Sequence, residues 1–269
     1  MNKIFDVHTH IYPEKIADRA VDALGKFYDF VPEGKGTYSD MTEHDKNNGI
    51  CGFLLLCVAT NAHQIRRANE SVAEAAKRGR EEGFEAYAFG GMHPCDNMEE
   101  EIGFCLENGI FGIKIHPDIQ GVDIDDPRLY PLYDAASGRF PVYFHMGDNR
   151  PQYRFSSPDK LAAILKKFPR LTVGAAHFGG YMASDEALEY LCGNDRIWYD
   201  TSSALWAMTK EHADMLIKKL GASHMMFGTD YPVKYPDTEL PRFDRLSLTD
   251  KEREDILYNN AMEFLHLYG

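Results

Sequence analysis

Five of the 11 histidines in this 269-residue chain fall at the ends of short apolar runs. His8 and His10 close Phe5-Asp-Val-His-Thr-His10, and His116 follows Gly112-Ile-Lys-Ile. His145 ends Tyr143-Phe-His145, and His177 follows Ala175-Ala176. Asp230 stands at a similar position in Gly228-Thr-Asp-Tyr-Pro232. In a strand, residues i and i+2 point to one face, so His8 and His10 present two imidazoles side by side. Neutral imidazole is a favoured donor for zinc and similar ions. Alone, a His-x-His pair reads better as two polar residues opening a loop. The other histidines and Asp230 at matching places shift the reading toward a metal site.

Something must bring these ends together. Eight runs rich in β-branched and aromatic residues fit short, doubly covered parallel strands: Ile4–His8, Gly52–Val58, Ala86–Met92, Phe111–Ile115, Pro141–His145, Thr172–His177, Ile197–Asp200 and Met225–Thr229. Helical patterns separate them. Asp96 with Glu99, Thr209, and Thr249 with Glu252 read as N-terminal caps, and Ser157-Pro158 as a cap followed by proline at the first helical position. Gly109 and Gly221 read as helix stops. Eight such alternations predict a (β/α)8 barrel forming one domain over residues 1–269. A doubly wound open sheet is the alternative, weakened because no Gly-x-Gly-x-x-Gly turn follows the first strand. Longer connections are expected after strands one, five and eight, on the C-terminal face where barrel enzymes keep their sites.

The net charge of −13 argues against a sequence-independent grip on nucleic acid and against docking on an anionic membrane. It leaves a small-molecule substrate as the expected partner, and self-association into a homo-oligomer is compatible with it. The five cysteines include no Cys-x-x-Cys and read as reduced thiols. With no secretory pattern ahead of the first strand, a cytoplasmic location is expected.

The strand-end stretches, together with Asp126-Pro-Arg-Leu-Tyr-Pro-Leu-Tyr133 and Asn259-Asn-Ala261, resemble the amidohydrolase superfamily. The resemblance is closest to its amidohydrolase-2 branch of TIM-barrel hydrolases and decarboxylases. It implies that His8, His10, His145 and Asp230 hold one divalent ion, zinc, with manganese as an alternative. His177 would act beside the metal-bound water, and Asp230 would accept its proton. Lys114 and His116 are assigned to substrate contact, and a second ion held through Lys114 and His177 stays open. Asp6 reads as a hydrogen-bond partner behind the ligands. Arg150 and Arg154, after strand five, are candidate grips for a substrate carboxylate. Phe27, Tyr28 and Phe30 are candidate pocket walls. The expected activity is hydrolysis of a lactone, ester or amide of a small carboxylated molecule. The alternative is non-oxidative decarboxylation.

Overall fold

The computed structural model describes residues 3–268. Eight parallel strands follow one another around a single sheet in the order of the sequence. They are β1 (Ile4–Thr9), β2 (Ile50–Leu56), β3 (Glu85–Gly91), β4 (Ile113–Ile115), β5 (Val142–Phe144), β6 (Val173–Ala175), β7 (Ile197–Asp200) and β8 (Met225–Met226). The seam between first and last is closed by main-chain bonds. Val7 N donates to Phe227 O (3.0 Å), Asp230 N to His8 O (2.8 Å) and His10 N to Tyr231 O (2.7 Å). This closure makes a barrel and excludes the open doubly wound sheet.

Period-two alternation divides the strand residues between two cores. Phe53, Leu55, Ile113, Ile115, Val142 and Phe144 join the larger cluster with helical residues such as Ile65, Leu161 and Leu216. Leu54, Leu56, Phe89, Tyr143, Trp198 and Met226 form the inner cluster, together with Phe264 from the last helix. The same alternation turns Lys114, Tyr143 and Asp200 into the barrel, where all three are fully buried.

Several strands are shorter than their apolar runs. Pairing stops at Phe144, Ala175 and Met226, before His145, His177 and Asp230. His145 N and Asp230 N still donate to the neighbouring strand, at Ile115 O (3.0 Å) and His8 O (2.8 Å), while the side chains lie at the barrel mouth. Phe111 lies outside β4 and is 57% exposed.

Among the caps, Thr249 and Glu252 form the expected reciprocal box, and Thr209 accepts from His212 N. Asp96 does not cap: the helix Met98–Glu107 begins after Asn97. The connection after β1 is largely a helix, Glu14–Tyr28, and the one after β8 contains the helix Pro236–Phe243. Among the described residues, no helix is long and apolar enough to cross a membrane.

Candidate metal centre

His8 Nε2 and His10 Nε2 lie 3.1 Å apart. Asp230 Oδ1 is 3.3 Å from the first and 3.4 Å from the second. Ligand atoms around a tetrahedral zinc with bonds of ~2.0–2.1 Å are separated by about 3.3 Å. The hydrogen bonds on the far sides of the rings fix what these atoms are. His8 Nδ1 donates to Asp200 Oδ2 (2.8 Å), and His10 Nδ1 donates to the carbonyl of Leu56 (2.6 Å). In the neutral rings both Nε2 atoms are therefore bare lone pairs facing each other and a carboxylate. Such a set is self-repelling, offset only by the Lys114 ammonium beside His8 Nε2, so the donor chemistry fits a divalent ion. Outer hydrogen bonds of this kind set imidazole tautomer and orientation in metal sites.

Asp200 is the hub of that support. Its Oδ2 accepts from His8 and from the Tyr143 hydroxyl (2.5 Å). Its Oδ1 accepts from His177 N (2.9 Å), Ser202 N (3.0 Å) and Ser202 Oγ (2.6 Å). Burial alone would raise this carboxyl, but His8 and the donated hydrogen bonds hold it well below the usual range. Burial, reinforced by the Lys114 charge, pushes the His8 imidazole down to about 3 and keeps it neutral. Lys114 Nζ sits 3.4 Å from His8 Nε2, and burial lowers its ammonium to about 8. Asp6 accepts from His8 N (3.0 Å), Thr229 N (3.1 Å) and Thr229 Oγ1 (2.6 Å), tying β1 to the segment that carries Asp230. Asp230 Oδ2 accepts from Ser203 Oγ, while its Oδ1 faces the two imidazoles.

His177 groups with His8 and Asp230 as a third ligand-bearing side chain. Its Nδ1 donates to Ser202 O (2.9 Å), and its Nε2 accepts from His145 Nδ1 (2.9 Å). His145 instead falls into a second group with His116 and Asp118. Its Nε2 faces the Tyr28 hydroxyl at 3.2 Å and Asp118 Oδ2 at 3.4 Å. The His116 ring stacks on it, 4.1 Å between centroids, and also meets Tyr28 at 3.2 Å. Burial drives both rings well below the ordinary histidine range. Apart from that approach to His145, neither oxygen of the buried Asp118 carboxyl has a hydrogen-bond partner among the described residues, and burial pushes the group up to about 8.

Above these side chains is a cavity of about 300 Å³, with His10, His116, His145 and Asp230 among its lining residues. The helix Glu14–Tyr28 and its following turn supply an apolar wall that includes Leu24, Phe27, Tyr28 and Phe30.

A family model described as amidohydrolase (Amidohydro_2) matches residues 5–267. The chain belongs to the amidohydrolase family. Among curated relatives, the chain is 26% identical over 218 residues to a 2-amino-3-carboxymuconate-6-semialdehyde decarboxylase of Dictyostelium discoideum. That match covers 65% of this chain and 59% of the relative's length. Among solved structures, it resembles an uncharacterized TIM-barrel protein of Bordetella bronchiseptica, with a TM-score of 0.79, 22% identity and 99% of each chain covered. It also resembles a dihydroxybenzoic acid decarboxylase of Polaromonas with bound manganese and the inhibitor 2-nitroresorcinol. The TM-score there is 0.70 with 16% identity, covering 100% of this chain and 98% of that one. At these identities the two structures show the shared barrel.

The arginines are placed differently from expectation. Arg154 forms a two-pronged pair with Glu186 (2.9 and 2.6 Å) and does not line the cavity. Arg150 is held by Asp148 (2.7–3.2 Å) and donates to Phe27 O (2.6 Å), so it braces the aromatic wall from behind. Lys114 lies beneath the histidines, out of the cavity lining, whereas His116 is part of it. Sequence reading passed over Asp200, Ser202 and Asp118. Asp200 carried a usable signal, being the acidic end of the seventh apolar run.

Proposed function

We propose that this amidohydrolase-family protein is a metal-dependent, non-oxidative decarboxylase of a small unsaturated carboxylate. The observation that carries this reading is the decarboxylase relative in sequence, with the dihydroxybenzoic acid decarboxylase of like fold beside it. Asp230, with Oδ2 accepting from Ser203 and Oδ1 facing His8 and His10, is placed to hold the ion that such a reaction uses. The apolar wall supports the same reading, since a water-poor cavity disfavours a charged carboxylate relative to neutral carbon dioxide.

His8, His10 and Asp230 would hold the ion, with His145 and His177 on the open side. Manganese and zinc both suit such nitrogen and oxygen donors. When bound, the ion supplies a Lewis-acid site that draws charge from a substrate oxygen. The chain's own residues do the rest. Phe27, Tyr28 and Phe30 exclude water and flank the substrate. The carbon–carboxyl bond breaks, its electron pair stays on the substrate carbon, and carbon dioxide leaves. That carbon then takes one proton. That proton comes from solvent and is delivered beside the neutral His145–His177 pair, whose shared proton stays in place.

The test is a panel of aryl and dienyl carboxylates with manganese- or zinc-loaded protein. Carbon dioxide should be released, and a reaction in D2O should place one deuterium on the vacated carbon. Lactone or ester hydrolysis without carbon dioxide release from any carboxylate would reverse the assignment.

A further inference from the structure

No lysine or arginine is among the residues lining the cavity. Its walls are mostly apolar, with Ala20, Leu24, Phe27, Phe30, Val58 and Ile119 among them, and Asp230 is its one carboxylate. The cations around the barrel mouth are already committed. Arg150 spends Nε and Nη2 on Asp148 and Nη1 on Phe27 O. Arg154 is taken by Glu186, and Lys234 by Glu33 at 2.8 Å. The buried Lys114 lies under His8. The ligand cluster is thus the single place in the cavity where an anion can find a positive partner.

We propose that the cavity selects monocarboxylates and rejects molecules bearing a second carboxylate, because that second charge would find no cation, only apolar side chains and the neutral hydroxyls of Tyr12, Tyr28, Thr60, Tyr181 and Ser203. Removing a charge from water without a partner is strongly unfavourable, whereas a neutral polar group of the same size loses far less. This selectivity rests on the metal-bearing reading of the site. It identifies the negative charge on the substrate as one, and it makes Leu24 and its neighbours on the helix Glu14–Tyr28 determinants of specificity.

Calorimetric titration of manganese-loaded, full-length protein tests the proposal with three matched ligands. These are 2-hydroxybenzoate, its 4-carboxy derivative and its 4-carbamoyl derivative. The carbamoyl compound has the size of the dicarboxylate without its second charge. It should bind within tenfold of the parent, and the dicarboxylate at least a hundredfold more weakly. Leu24→Arg should bring the dicarboxylate to within tenfold of the parent while metal content and circular dichroism stay unchanged. Wild-type affinity for the dicarboxylate equal to that for the parent overturns the proposal, as does failure of the parent to bind. Equal weakening by the carbamoyl group would assign the effect to size and also overturn it. Selective monocarboxylate binding with no carbon dioxide release from any ligand would leave the selectivity standing and refute the decarboxylase reading.

Discussion

Asp200→Asn is the substitution that most directly probes how this site is built. The carboxylate accepts five hydrogen bonds, two on Oδ2 and three on Oδ1. An amide keeps one oxygen and replaces the other by NH2. If the NH2 takes the Oδ2 place, it confronts the Tyr143 hydroxyl and His8 Nδ1–H. If it takes the Oδ1 place, it confronts two main-chain N–H groups and the Ser202 hydroxyl. In either orientation at least two buried donors lose their acceptor, each at about 1–3 kcal/mol. The variant should therefore be destabilised by roughly 2–6 kcal/mol. The first orientation has a further effect, because His8 can escape by moving its proton to Nε2. That proton would point into the space between His10 Nε2 and Asp230 Oδ1, 3.1 and 3.3 Å away. Losing such a partner typically lowers metal affinity ~10–100-fold.

Metal affinity would be read by competition with a chelator of known affinity, and stability by urea unfolding of the metal-free protein. Tyr143→Phe is the milder companion, removing one donor and leaving His8 its acceptor. It should change metal affinity less than tenfold. Wild-type metal affinity in folded Asp200→Asn would refute the claim that Asp200 sets the His8 tautomer.

Three further outcomes follow from particular side chains. Burial raises the Glu239 carboxyl to about 7, and Arg242 is its one hydrogen-bond partner (2.7 Å) among the described residues. The unfolded value is ~4.3, so between these values the folded chain binds the extra proton. The stabilisation is complete below the unfolded value and is lost as pH rises through about 7. Between pH 5 and 8 urea unfolding should show the wild type losing about 2–3 kcal/mol more than Glu239→Gln, and parallel profiles would refute this. Manganese at a hundredfold its Kd should add about 2.7 kcal/mol to stability and raise Tm by about 5–10 °C. A chelator should reverse that rise, and Asp230→Asn should abolish it. Arg154→Ala should leave KM within twofold and stability within about 1 kcal/mol, as expected for an exposed pair with Glu186.

How much of this was legible in the sequence depended on which physical signal each residue carried. The barrel could be read because doubly buried strands need continuous apolar runs, and those runs stand out against the polar helix faces. Strand ends were read too long at β5, β6 and β8. Composition cannot show that pairing stops before His145, His177 and Asp230. Thr249 could be read as a cap because both halves of its box are local. Arg154 was misplaced because nothing local reveals that the distant Glu186 claims it, whereas the partner of Arg150, Asp148, stands two residues before it and was a usable signal. His145 was expected beside His8 and Asp230. Its ring instead turns Nε2 toward Tyr28 and Asp118, an orientation set by contacts between distant segments.

The backbone at the site carries a related imprint. Asp230 (φ 62°), His177 (φ 60°) and Ser203 (φ 47°) all occupy the left-handed region, which costs a non-glycine residue of order 1–3 kcal/mol. Each is held there by bonds that also aim its side chain. Asp230 is fixed by its N–H on His8 O and by Val233 N on its own carbonyl (2.7 Å). His177 is fixed by its N–H on Asp200 and its Nδ1 on Ser202 O. The barrel thus spends packing energy to hold strained residues, and the result is three acceptors converging at 3.1–3.4 Å. Strain and lone-pair repulsion act in the same direction, since both leave the cation-free arrangement less stable than its surroundings would allow. Relaxing Asp230 to Gly would therefore relieve strain and lose the ion together, which is the combination expected where a fold has been shaped around a ligand rather than around its own stability.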